Sequence, residues 1–187
     1  MRNFMIFCAA MLLAGCMGQA SSVPQGVQVY FSPEGGCTEA VVDALGRATN
    51  SVFVQAYSFT SAPIAKALVN AHRRKVKVNV ILDHSQRTEK YSEADFIRDY
   101  GIPCLIDSKH AIAHNKIMII DQYLVLTGSF NFTKGAEEKN AENLLVINDP
   151  ELARKYLQNW KQHERHSEPY VARSERESKP RHSRQIL

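Results

Sequence analysis

Two pairs of polar side chains interrupt otherwise apolar stretches of this chain. His114 and Lys116 stand two residues apart at the head of Ile117-Met118-Ile119-Ile120, and Ser129 and Asn131 repeat the spacing in Gly128-Ser129-Phe130-Asn131-Phe132. On an extended backbone, residues two apart share a face. His114 therefore projects with Lys116, and Ser129 with Asn131, while Asn115, Ile117 and Phe130 turn away. Only Asp121-Gln122-Tyr123 separates Lys116–Ile120 from Leu124–Leu126, which predicts a hairpin that sets the two pairs on neighbouring segments.

An imidazole, an ammonium, a hydroxyl and an amide gathered in this way suit a phosphodiester. Lys116 can neutralise one phosphate oxygen as a point charge, and Ser129 and Asn131 can donate hydrogen bonds to others. His114 offers a nitrogen nucleophile, or an acid–base group. Glu142, just before the expected strand Asn143–Ile147, has the chemistry to accept from the remote ring nitrogen of a histidine and so fix its tautomer. Taken singly, each residue also fits a solvated strand end, and Gly128 fits a plain turn glycine. The joint pattern is more telling, because polar groups among apolar strands need partners or a purpose.

The elements that would position these residues alternate in type. Strands are expected over Val27–Phe31, Val52–Tyr57, Val76–Leu82 and Pro103–Ile106. Helices fall between them over Thr38–Thr49, Ala62–Arg73 and Ser92–Tyr100, with Val41, Leu45, Ile64 and Leu68 facing inward. This repetition predicts an α/β fold, a mixed and mostly parallel central sheet with helices on both faces. Asp149-Pro150 opens a final helix whose Leu152, Tyr156, Leu157 and Trp160 share one face, so Trp160 is expected in the core.

Residues 1–20 have the character of an export signal, with Arg2 ahead of the apolar run Phe4–Gly15. The run falls short of the about 20 apolar residues that span a bilayer. Leu13-Ala14-Gly15-Cys16 resembles a lipobox, which would leave Cys16 lipidated and the protein tethered to a membrane. Gly18-Gln19-Ala20 offers ordinary cleavage after Ala20 instead. Either route predicts an exported, periplasmic protein. In that compartment Cys37 and Cys104 can form a disulfide or stay as two buried thiols.

The body expected over residues 21–163 suits one domain. Residues 164–187, charged and without a repeating apolar face, are expected to form a flexible charged tail. His163 and His166 stand there at helical spacing, but no metal site and no cofactor are expected. The net charge of the 187-residue chain is +4, and residues 161–187, with seven Lys/Arg against four Asp/Glu, carry +3 of it. Such a balance permits a polyanionic partner without demanding one.

The pattern His114-x-Lys116-x4-Asp121 followed by Gly128-Ser129-x-Asn131 resembles the signature of the phospholipase D superfamily. Ala56-Tyr57-Ser58-Phe59-Thr60 and Asn140-Ala141-Glu142-Asn143 share in the likeness, which extends over most of the body. Within the superfamily the chain is similar to small bacterial single-motif endonucleases, exported enzymes that cut nucleic acid without a metal. The resemblance implies a phospholipase D-like fold and a phosphohistidine intermediate on His114. It implies that Lys116 and Asn131 hold phosphate oxygens with help from Ser129, that Glu142 orients His114, and that Asp121 is structural.

A single motif also implies a partner. In-line displacement puts the nucleophile and the leaving oxygen on opposite sides of phosphorus, so the leaving oxygen needs a second acid across the phosphate. A homodimer with the active site on its two-fold axis would supply it. The rival sources within the chain are His72, His84 and His110. Nucleic acid, DNA or RNA, is the substrate expected, with Arg73-Arg74-Lys75 and Lys77, Arg87 and Lys90, and Lys134 and Lys139 as candidate backbone contacts. The alternatives are a phospholipase acting on phosphatidyl headgroups and an inactive nucleic-acid-binding module.

Overall fold

In a computed structural model of the chain, residues 26–178 are described. The signal expected over residues 1–20, with Cys16, lies outside them, as do residues 179–187. The chain runs β1 (Val27–Ser32), α1 (Cys37–Arg47), β2 (Ser51–Ala56), α2 (Ala62–Arg73), β3 (Lys77–Asp83), a 3-10 turn (His84–Arg87), α3 (Ala94–Asp99) and β4 (Cys104–Asp107). It continues through β5 (Lys116–Ile120), β6 (Leu124–Gly128), α4 (Lys134–Glu138), β7 (Glu142–Asn148), α5 (Pro150–Glu164), β8 (Glu168–Pro169) and α6 (Arg173–Ser178). The strands form one sheet in the order β1-β7-β6-β5-β2-β3-β4-β8.

The class is α/β with a mixed sheet, as expected, but the balance of pairing is not. Only β2–β3 and β3–β4 are parallel, and the other five ladders are antiparallel. After β4 the chain enters the sheet from the opposite end, slots β5 beside β2, and turns back through β6 and β7. Apolar alternation has the same period in both kinds of ladder, so the local pattern of these strands does not distinguish them.

Strand alternation splits the core in two. Val52, Val54, Val80, Leu82, Met118 and Ile120 face α1, α2 and α3, meeting Val41, Leu45, Ile64, Leu68 and Ile97. Phe53, Ile81, Ile117 and Ile119 face α5 and meet Leu157 and Trp160. Trp160 sits in the core as expected, and its Nε1 donates to the Val54 carbonyl at 2.9 Å. The α5 start follows its sequence signal: Pro150 occupies the first turn, and the Asp149 carboxylate accepts from the amides of Glu151 and Leu152 at 2.9 and 3.0 Å.

One expectation fails here. The flexible tail expected from residue 164 is packed against the body as far as it is described. β8 pairs with β4 through Leu105↔Pro169 and Ile106↔Glu168. Tyr170 and Ala172 are buried, and the Tyr170 hydroxyl donates to Asp95 at 2.9 Å. Two buried side chains and a few polar ties suffice, with no repeating apolar face. Of the two states left open for the cysteines, the structure shows the second: Cys37 and Cys104 are both buried free thiols. Cys37 begins α1, which packs on β1 and β7, whereas Cys104 lies in β4 toward the other side of the sheet. Burial pushes their thiols up to about 11 and about 12 respectively.

Candidate active site

The segment that delivers His114 is held on both sides. The Asp83 carboxylate, at the end of β3, accepts from the Ala113 amide at 2.7 Å, and the Tyr57 amide donates to the Asn115 carbonyl at 2.8 Å. His114 lies just ahead of β5, with its side chain exposed at the rim of the sheet. Its ring rests against Tyr57, with centroids 4.7 Å apart and planes tilted by 56°. Backbone and ring are thus fixed while the imidazole stays open to solvent.

Lys116 begins β5 and is 6 % exposed. Its Nζ donates to the His114 carbonyl at 2.8 Å and lies 5.0 Å from the centre of the Tyr57 ring. Burial pushes the ammonium below the ordinary lysine range, and the negative charge of Glu142 partly opposes that shift. Among the described residues no carboxylate forms an ion pair with it, so its charge remains available to an incoming anion.

The second pair arrives from β6. Continuing the Met118↔Leu126 register by two residues sets Lys116 opposite Gly128. Gly128 has φ +146°, and a Cβ there would stand 2.3 Å from the Asn143 carbonyl oxygen. The glycine is needed for that close approach and is not merely a turn residue. Past it the backbone leaves the regular strand but keeps its alternation. Phe130 and Phe132 are fully buried, while the alternate residues Ser129 and Asn131 are exposed and half-buried respectively. The Phe132 carbonyl accepts from Thr60 and Ser61 at 3.0 Å, which pins the segment beside β2. Ser129 Oγ accepts from the Asn143 amide at 3.0 Å, while the buried Asn131 Oδ1 has no hydrogen-bond partner. A buried amide oxygen left without a partner is costly; a phosphate oxygen is itself an acceptor, so it is the amide nitrogen of Asn131 that can serve one.

Glu142 begins β7 and stands near Lys116. Its carboxylate accepts from Asn140 Nδ2 at 3.3 Å, and its electrostatic influence falls on Lys116. What touches the His114 ring is Tyr57. Asp121 closes the far end of β5 and is structural. Its two oxygens accept from the amides of Thr49, Asn50 and Ser51 and from the Thr49 hydroxyl, all at 2.7–2.9 Å. Burial alone would raise its pKa, but the Ser51, Thr49 and Asn50 amides outweigh that and hold the carboxyl below its usual range.

The other described histidines lie elsewhere. His84 faces Asp83 at 3.5 Å. His72 sits near the end of α2, at the opposite end of the sheet, against Gly101. His110 meets the Asp107 carboxylate together with His163 and His166, which come from a segment far along the sequence. Of the basic clusters, Arg73–Lys77 lies at the end of the sheet away from His114, where Arg74 donates to the carbonyls of Leu45 and Ala48. Arg87 is paired with Glu168 at 2.7 Å. Lys134 and Lys139 flank α4, close in sequence to Asn131. Sequence reasoning missed Tyr57 and Asp83 as supports of His114. Their signal was position, each standing at or just past the end of a strand that neighbours the site.

Residues 41–163 match the family model described as cardiolipin synthase, PLD-like domain. A protein named phospholipase D from Rickettsia felis is 46 % identical over 134 residues, which is 72 % of this chain and 67 % of that one. Nuc from Salmonella typhimurium, described as a phospholipase D family member, superposes with TM-score 0.75 at 43 % identity, covering 78 % of this chain and 98 % of that one. NucT from Helicobacter pylori superposes with TM-score 0.72 at 25 % identity, covering 77 % and 98 %. With its one His-x-Lys-x4-Asp motif spread along β5 and completed from β6, the chain belongs to the phospholipase D superfamily and is a phosphodiesterase of that superfamily.

Proposed function

We propose that the chain hydrolyses the phosphodiester bonds of nucleic acid, with His114 as the nucleophile. The observation that carries this reading is an exposed imidazole braced on Tyr57 beside a buried lysine that lacks a carboxylate partner. A ring nitrogen of His114 attacks phosphorus, the bond to the leaving oxygen breaks, and a phosphohistidine forms. Water then attacks phosphorus and releases the imidazole. Lys116, Ser129 and Asn131 stabilise the charge on the non-bridging oxygens through the ammonium, hydroxyl and amide. Glu142 acts through the field it exerts at Lys116. An open rim suits a long polyanion threading past, and Lys134 and Lys139 stand nearest in sequence to follow its backbone.

The leaving oxygen needs a proton from the far side of phosphorus, and a second copy of the chain supplies it through its own His114 across a two-fold axis. The engagement of His84 and His110 with buried carboxylates supports this arrangement. The name of the Rickettsia relative favours a second reading, hydrolysis of phosphatidyl headgroups.

The purified chain incubated at 25 °C with plasmid DNA, RNA or phosphatidylcholine vesicles, each in excess chelator, separates these readings. Nicking that persists in chelator and vanishes in His114→Ala supports the nuclease. Headgroup release without nicking replaces it with the lipase, and DNA retention without cleavage replaces it with a binding module. Cleavage that stops at once in chelator would sink the metal-free step. For the dimer, wild type is co-refolded with increasing shares of His114→Ala. A shared site makes activity fall with the square of the wild-type fraction, and a linear fall excludes it.

A further inference from the structure

Away from the His114 site, three imidazoles converge on one buried carboxylate. Asp107 ends β4 and is fully buried. Its Oδ2 lies 3.0 Å from His110 Nδ1, 2.7 Å from His163 Nδ1 and 3.3 Å from His166 Nε2. The three rings contact one another with centroids 4.9–5.4 Å apart. A carboxylate oxygen offers about two lone-pair sites, so three ring nitrogens crowd an acceptor that two would fill. The four ligand atoms all lie within 4.8 Å of one another.

We infer that Asp107, His110, His163 and His166 form a site for one divalent transition-metal ion, best matched by zinc. Imidazole and carboxylate are zinc ligands, and four protein ligands make a closed, structural site. Zinc–ligand bonds of about 2.0–2.1 Å imply ligand atoms roughly 3.3 Å apart in a tetrahedron. The three separations from Asp107 Oδ2 already lie near that value. The remaining contraction is between imidazoles on side chains that can rotate. An ion there would take up lone pairs of the three nitrogens, with the protons they carry toward Asp107 released to water. The side chain of His110 is 45 % exposed, which leaves an entry path.

The placement indicates what the ion would do. Two ligands, Asp107 and His110, lie at the start of the loop that ends in His114. The other two lie at the end of α5 and immediately before β8. The ion would tie the approach to the catalytic segment and the C-terminal segment to a single point. β4 is three strands from β5 in the sheet, roughly 14 Å at the usual strand spacing. The ion therefore does not reach a phosphate on Lys116, and its role is structural.

The test uses the full chain without a metal-affinity tag, stripped with chelator and dialysed. Neither metal content nor melting temperature involves turnover, so the result stands or falls independently of the phosphodiesterase reading. Titration with zinc is expected to show one ion per chain and a melting temperature higher by about 5–10 °C at saturation. His163→Gln combined with His166→Gln should abolish both, and His110→Gln should weaken binding at least tenfold. Cobalt in place of zinc should give the intense visible absorption of a tetrahedral site, a readout of the wild type that does not depend on any variant folding. Absence of uptake at micromolar zinc, unchanged uptake in the double variant, or a cobalt spectrum of octahedral type would each overturn the assignment.

Discussion

The two ends of β5 are only five residues apart, yet they treat their charged groups in opposite ways. At one end Asp121 receives four hydrogen bonds on two oxygens and has no acceptor capacity left aimed at solvent chemistry. At the other end Lys116 is buried with only a carbonyl and an aromatic face for company, and His114 is open to solvent. At about 3.3 Å per residue these ends lie roughly 16 Å apart, so one motif spans both a brace and a reacting centre. A fully satisfied charge stabilises the fold, and an incompletely satisfied one is left free to meet a substrate.

The contrast can be broken from either end, and the chemical end should respond most. His114→Ala is expected to lower turnover by about 10⁴-fold or more, with the melting temperature nearly unchanged because the ring is exposed. Lys116→Met should lower turnover by about 10²–10³-fold while leaving the melting temperature equal or higher. The sign follows from its depressed pKa in the fold. A lysine that holds its proton less tightly when folded than when unfolded costs stability at neutral pH, and the cost fades as pH rises through the folded and then the unfolded pKa. Methionine removes the cost, and paired melting and activity measurements check both halves.

Gly128→Ala brings a Cβ against the Asn143 carbonyl and should cost about 2–4 kcal/mol in denaturant unfolding, with activity lost because Ser129 and Asn131 shift. Asp121→Ala should cost about 1–3 kcal/mol and leave activity per folded molecule near wild type. Since the Asp121 carboxyl is held low in the fold, its contribution is present above about pH 4 and is lost as pH falls through the folded pKa. Melting curves of the variant should therefore be flatter with pH in that range. A loss of turnover in Asp121→Ala matching that of Lys116→Met would erase the distinction between the two ends. Tyr57→Leu is the mildest change, expected to reduce turnover about threefold to fivefold through the lost ring contacts.

How much of this was legible beforehand follows from range. Lys116–Ile120 and Ala62–Arg73 were read with the boundaries they have, because alternation and helical spacing are local signals. His114, Lys116, Ser129 and Asn131 were legible because each pair rides one short segment. Strand direction was not, since β2 pairs with both β3 and β5 using the same apolar face pattern. β8 escaped notice because two residues, one of them Pro169, carry no periodicity. His163 and His166 looked unsupported because their carboxylate, Asp107, lies 56 residues upstream of His163. The role expected of Glu142 rests on a contact between distant segments, which no local pattern displays; the local contact its carboxylate makes is to accept from Asn140 Nδ2.

β1, at the edge of the sheet, is bonded only to β7, and its register joins Ser32 to Glu142 and Val27 to Ile147, partners 110 and 120 residues apart. During synthesis the first strand made must therefore wait for the last long strand before it can be hydrogen-bonded. At ribosomal speeds of about 5–20 residues per second that wait is on the order of 5–25 s. Throughout it Val29 and Phe31, which remain partly exposed even in the finished fold, are free to find other strands. Until this ladder closes, β1 presents an open strand edge with which a neighbouring chain can pair.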